Sequence, residues 1–131
     1  MPSFLQPLLR EGSDRHLIVN ERTGRVVADR LITAFDSKSR RTGLLAHTSL
    51  PESAAMIIAP SNSVHTFFMK FPIDIAFVSK SGQVLKIRSS VPPWRMTGSL
   101  RAFAVLELAA GSLGRSDTRT GDQLLVSGRA D

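Results

Sequence analysis

Two carboxylates stand in apolar segments, where a polar group is hardest to keep. Around Asp74, alternate residues of 72–78 put Ile73, Ile75 and Phe77 on one face and Asp74, Ala76 and Val78 on the other, so neither face is solvated. A carboxylate there has to be hydrogen-bonded or paired with a cation, and groups held that way are structural pins or parts of a site. Glu107 repeats the pattern, sharing a face with Phe103 and Val105 in the strand expected over 101–109. If Asp74 and Glu107 converge with room for a water, each shifts the other's proton affinity and the pair can serve as general acid and base in a hydrolase-like reaction. The other reading pairs each acid with Lys70, Arg95 or Arg101 as an internal pin, or lets it reach an open sheet face. The residues leave both open, and with them the question of whether the protein is an enzyme.

The second group with chemical reach is the segment 91–100, VPPWRMTGSL, which holds the sole tryptophan, Trp94, beside Arg95. An aromatic plane next to a guanidinium grips sugars, bases and planar anions by stacking and charge-assisted hydrogen bonds; the same pair also staples a loop to its own scaffold. Pro92 and Pro93 stiffen the entry for either role. With His65 and Lys70, these two residues form the expected rim of a ligand cleft, underpinned by Asp74 and Glu107. Arg40 and Arg41 add charge there only if the fold brings them near.

Other chemistries fail on inventory. There is no cysteine, which removes disulfides, thiolate catalysis and Cys-based metal sites. His65 and Met69 share a face of an expected strand over 64–71, but with His47, Met56 and Met96 they make no compact ligand set, so no metal and no cofactor is expected. No serine lies in a G-x-S-x-G elbow, and no phosphate-cradling glycine loop is present. Seventeen Lys and Arg against eleven Asp and Glu give +6 in 131 residues. A basic surface of this kind suits nucleic acid, an anionic membrane surface or an acidic protein partner. The nucleic-acid reading rests on charge alone, since Tyr is absent and most Phe sit in apolar strands. The N-terminal residues show no signal-peptide pattern and no run is long enough to span a membrane, which makes the cytoplasm the default location.

These residues need elements to position them. Residues 1–15 are expected to be an irregular arm that docks through Phe4, Leu5, Leu8 and Leu9, with 16–131 a single domain. A hairpin is expected from strands 17–20 and 25–35 around the turn ERTG, then a helix over 36–47 with Asp36 or Ser37 as its cap. Strands follow at 54–59, 64–71, 73–79, 83–89, 101–109 and 123–127, with a tight turn SKSG at 79–82 and at most a single helical turn in 112–120. Many short strands with one main helix predict a β-rich α+β fold, a mostly antiparallel sheet curled into a barrel-like body.

The motifs also have a collective order. Arg40, Gly43, Leu44 and Leu50 form R-x-x-G-L-x-x-x-x-x-L; F-F-M-K-F-P-I-D-I-A-F spans 67–77; Gly82, Val84 and Ile87 follow; V-L-E-L-A-A-G spans 105–111 and G-D 121–122. This resembles the DUF192 family of small, functionally uncharacterised prokaryotic domains, over about residues 32–126. The resemblance implies a compact β-rich α+β fold and carries no agreed activity, substrate or cofactor. It maps the family's recurring polar residues onto Lys70, Asp74, Glu107 and Asp122. Phe68 stands where the family usually has Trp, and Lys70, Phe71 and Pro72 form a shortened link. The reading favoured is a small cytoplasmic ligand-binding or accessory domain with a polar cleft for an anionic or sugar-like ligand. A hydrolase using Asp74 and Glu107, and a basic protein-interaction module, are the alternatives.

Overall fold

Branched and aromatic side chains on both faces of the central segments bury them in the middle of a sheet rather than on its surface. The computed structural model describes residues 3–45 and 47–129. Its elements are α1 (Gln6–Glu11), β1 (His16–Asn20), β2 (Val26–Ala28), β3 (Arg30–Ala34), α2 (Ser37–Thr42), β4 (Ala54–Ile58), β5 (Ser63–His65), β6 (Ile73–Val78), β7 (Val84–Val91), β8 (Met96–Gly98), β9 (Ala104–Ala109), α3 (Ser112–Arg115) and β10 (Leu124–Gly128). The fold is α+β and strand-rich. A five-stranded sheet has the order β3-β4-β9-β6-β7, a three-stranded sheet the order β10-β1-β2, and β5 pairs with β8 in a separate ribbon.

All pairings are antiparallel except β3 with β4, which α2 and the chain after it connect. β6 and β9 are central, and every residue of β6 is buried. One face packs Ala55, Ile57, Ala76, Val78, Leu106 and Leu108 against the three-stranded sheet and α1. The other packs Met56, Ile58, Ile75, Phe77 and Val105 against Leu44, Leu50 and Met69. No continuous ladder closes a barrel among the described residues. The two larger sheets are joined instead by a single bridge, Gln83 to Gln123, flanked by bonds from Val84 N–H to Asp122 O and Leu124 N–H to Gly82 O, both 2.8 Å. Gly82 sits at φ +98°, and a Cβ on it would meet Leu124 O at 2.5 Å, so the SKSG turn needs glycine both for its backbone and for this contact.

Several expectations are corrected. The N-terminal arm is not irregular: Pro7 in the first turn starts α1, whose Leu8 is buried, as is Leu5 just before it, while Leu9 stays exposed. The strand expected over 25–35 breaks at Asp29, whose N–H bonds Ser53 O at 2.9 Å, and its halves join different sheets. The helix begins as expected, with Asp36 Oδ1 accepting the Ser39 N–H at 2.8 Å. It ends at Thr42, because Gly43 turns to φ +47° and bonds back to Ser39 O. The strand expected over 64–71 stops at His65, since Phe68 at φ 66° turns the chain.

Candidate functional site

Strand register decides how Asp74 and Glu107 relate. In the β6–β9 ladder Asp74 lies opposite Leu108, and Ile75 lies opposite Glu107. Opposite residues share a face and neighbours along a strand do not, so the two acids point to opposite sides of one sheet. They form no catalytic dyad, and the hydrolase reading that needs both in one pocket fails on this geometry.

Asp74 is fully buried and pinned by backbone. Its Oδ1 accepts the Ser90 N–H at 2.8 Å, and its Oδ2 accepts the Gly111 and Leu113 N–H groups at 3.1 and 3.0 Å. The side chain thus ties β7 and the start of α3 to the central strand. The expected partners Lys70, Arg95 and Arg101 take no part. Three backbone N–H groups satisfy the side-chain oxygens in place of the expected cation.

Glu107 is in the opposite state. It is 3% exposed, on the face shared with Met56 and Ile75, and among the described residues its Oε2 has no hydrogen-bond partner. Burial pushes its carboxyl up to about 7. It lines a cavity of about 380 Å³ between α2 and β5, whose wall includes Leu44, Leu45, Ile58 and Met69 and whose border includes Arg40, Arg41 and His65. Gly43 and the R-x-x-G-L turn shape one side of this cavity. Arg40 is fixed by a 2.7 Å bond from its Nη1 to Phe35 O, whereas Arg41 is exposed. A titratable carboxyl in a cavity of mixed polar and apolar lining that also holds guanidinium groups can anchor a small polar molecule at one point and an anionic group at another.

Of the expected rim, only His65 lines this cavity. Lys70, Trp94 and Arg95 do not join it. Trp94 and Arg95 belong to an adjoining ledge, reached through a row of rings: His65 on Phe67 at 4.9 Å, Phe67 on Trp94 at 5.9 Å, and Phe68 against Trp94 at 4.6 Å; Lys70 is exposed two residues after Phe68. What holds the ledge is Thr66, which is buried. Its N–H and hydroxyl donate to Arg95 O and Pro92 O at 2.8 and 2.7 Å, and its carbonyl and hydroxyl accept from Trp94 N–H and Arg95 N–H at 3.0 and 2.9 Å. Nothing in the sequence singled out Thr66, because its partners lie far along the chain. Among the described residues no three His, Cys, Asp or Glu side chains gather as a metal group.

Asp122 is a second pin. It accepts from Asn20 Nδ2 at 2.8 Å, Arg22 Nε at 2.7 Å and the Arg119 N–H at 2.8 Å. The Arg22 side chain, foremost, holds its carboxyl well below the usual carboxylate range. A depressed folded value means that its stabilisation is complete above the ordinary carboxylate value of about 4 and is lost as pH falls below it. Asp122→Asn is therefore expected to flatten the acid limb of the stability profile below about pH 4, measured by circular dichroism during acid titration. An unchanged acid limb would remove Asp122 from acid denaturation.

Comparison with known proteins agrees with the fold. The model of the DUF192 family, described as an uncharacterized ACR, matches residues 18–126. No match is found among curated proteins. A crystal structure from Sinorhizobium meliloti 1021, described as "a putative transcription regulator", superposes with a TM-score of 0.74 at 23% identity, covering 88% of this chain and 94% of that one. A protein of unknown function from Novosphingobium aromaticivorans DSM 12444 gives 0.72 at 23% identity, covering 84% and 82%. At that identity the likeness concerns the fold alone.

Proposed function

Because the chain belongs to the DUF192 family, which is uncharacterised, we propose on its own geometry that it is a small ligand-binding or accessory domain of the cytoplasm, with its site in the cavity over Glu107. The single observation that carries this reading is the buried Glu107, which lines that cavity and whose Oε2 is unpartnered among the described residues. A buried polar atom without a partner is costly, and natural proteins keep one mainly where a ligand or water completes it. The ligand is a small molecule with a hydroxyl or other polar group for Glu107 and an anionic group for Arg41 and Arg40, such as a sugar acid or sugar phosphate. His65 forms part of the border. Lys70, Trp94 and Arg95 fall outside this binding set.

The test is a calorimetric screen of small carboxylates, sugars and sugar phosphates against the whole chain at pH 6 and pH 8. Binding of an anionic hit should weaken as pH rises through about 7, because ionised Glu107 then adds a buried negative charge. Glu107→Leu and Arg41→Ala should each weaken it by about tenfold or more, the equivalent of ~1.4 kcal/mol. A folded Glu107→Leu variant that binds as the parent does would sink the proposal.

A further inference from the structure

Beside the cavity, and separate from it, the aromatic ledge has features that ligand binding over Glu107 does not use. Phe68 is 70% exposed, Trp94 57% and Met96, which lies opposite His65 in the β5–β8 ribbon, 70%. Large apolar side chains clustered in the open usually mark an interaction surface. They are also held there against a backbone preference: Phe68 and Trp94 adopt φ 66° and 69°, the left-handed region that residues with a Cβ rarely enter. The buried Thr66 clamp over-determines this conformation, and strain kept in place by its surroundings concentrates at functional positions.

Charge indicates what the ledge meets. Residues 53–110, which contain it, carry Lys70, Lys80, Lys86, Arg88, Arg95 and Arg101 against only two acids, Asp74 and Glu107. Both acids are buried. None of the six cations is in an ion pair among the described residues. Residues 53–110 therefore contribute cations and no exposed carboxylate to the surface, with Lys70 two residues from Phe68 and Arg95 next to Trp94 in the chain.

We propose that the ledge of Phe68, Trp94 and Met96 docks the protein on an anionic lipid surface, its rings and thioether entering the headgroup layer while Lys70 and Arg95 meet lipid phosphates. Trp is the side chain that best occupies this layer, and cations near it add electrostatic attraction. The arrangement favours a bilayer over single-stranded nucleic acid because base stacking needs free, parallel ring faces. Here Trp94 already stacks on Phe67 and meets Phe68 at 60°, which makes an apolar knob rather than a platform.

Trp94 is the only tryptophan and there is no tyrosine, so its emission reports the ledge directly. Titration of the whole chain with phosphatidylglycerol–phosphatidylcholine vesicles should shift that emission to the blue and sediment the protein, less so in high salt, while phosphatidylcholine alone should do neither. By co-sedimentation, Phe68→Ser should lower partition roughly tenfold, and Lys70→Gln and Arg95→Gln about fivefold each. Met96→Ser, in the β5–β8 ribbon and not itself at a left-handed position, supplies the same readout should Phe68→Ser fail to fold. Equal partition into neutral and anionic vesicles, no partition at all, or parental partition by a folded Met96→Ser variant overturns the proposal. Tighter binding of oligothymidylate with quenching of Trp94 replaces it with a nucleic-acid surface.

Discussion

Asp74→Ala is expected to lower the unfolding free energy by about 3 kcal/mol or more. The carboxylate satisfies the Ser90, Gly111 and Leu113 N–H groups in a site closed to water. Removing it strands three buried donors, each costing roughly 1–3 kcal/mol, of which local relaxation recovers a part. Asp74→Asn should cost less. Its Oδ1 can still accept from Gly111 and Leu113, while its amide faces the Ser90 N–H and loses that bond. Urea midpoints of the two variants measure this order directly, and an alanine variant as stable as the parent would refute the pin.

The second large effect depends on pH. Glu107 carries its proton up to about 7 in the folded protein against an ordinary value of 4.5. A folded value raised above the unfolded one contributes stability that is fully present below about pH 4.5 and lost as pH rises through about 7. The loss at pH 8 approaches about 3 kcal/mol, since each unit of difference corresponds to about 1.4 kcal/mol. Glu107→Gln has no proton to release, so its stability relative to the parent should rise by about 2–3 kcal/mol between pH 4.5 and pH 8. Asp122 loses its contribution in acid in both proteins and cancels from the comparison. Denaturation of both at the two pH values checks the sign; a constant difference between them would mean that Glu107 is ionised and paired throughout.

The candidate site was partly legible because burial of a carboxylate is a local statement. Asp74 and Glu107 stand out in apolar strands whatever the fold around them, and both are buried as their surroundings imply. What they do depends on register, which no composition or period reveals. One residue of slip in the β6–β9 ladder would have put both acids on one face and kept the dyad alive. The expected rim is divided between cavity and ledge for a related reason. His65, Phe67 and Met69 alternate as a strand does, but the bonds between Thr66 and residues 92–95 bend the chain after His65 and carry Trp94 and Arg95 away from the cavity.

The amino-acid sequence by itself determined the strand-rich α+β class, the turn at SKSG, the Asp36 cap of α2 and the two misplaced acids, because each follows from alternation, turn chemistry or capping within a few neighbouring residues. Tertiary structure decided the rest. The break at Asp29, the side of the sheet each acid faces, the backbone cradle that satisfies Asp74 and the absence of one around Glu107 all depend on contacts between distant segments. Such contacts form only when the whole core packs, and they separated two similar carboxylates into one pinned by backbone and one left without a partner among the described residues.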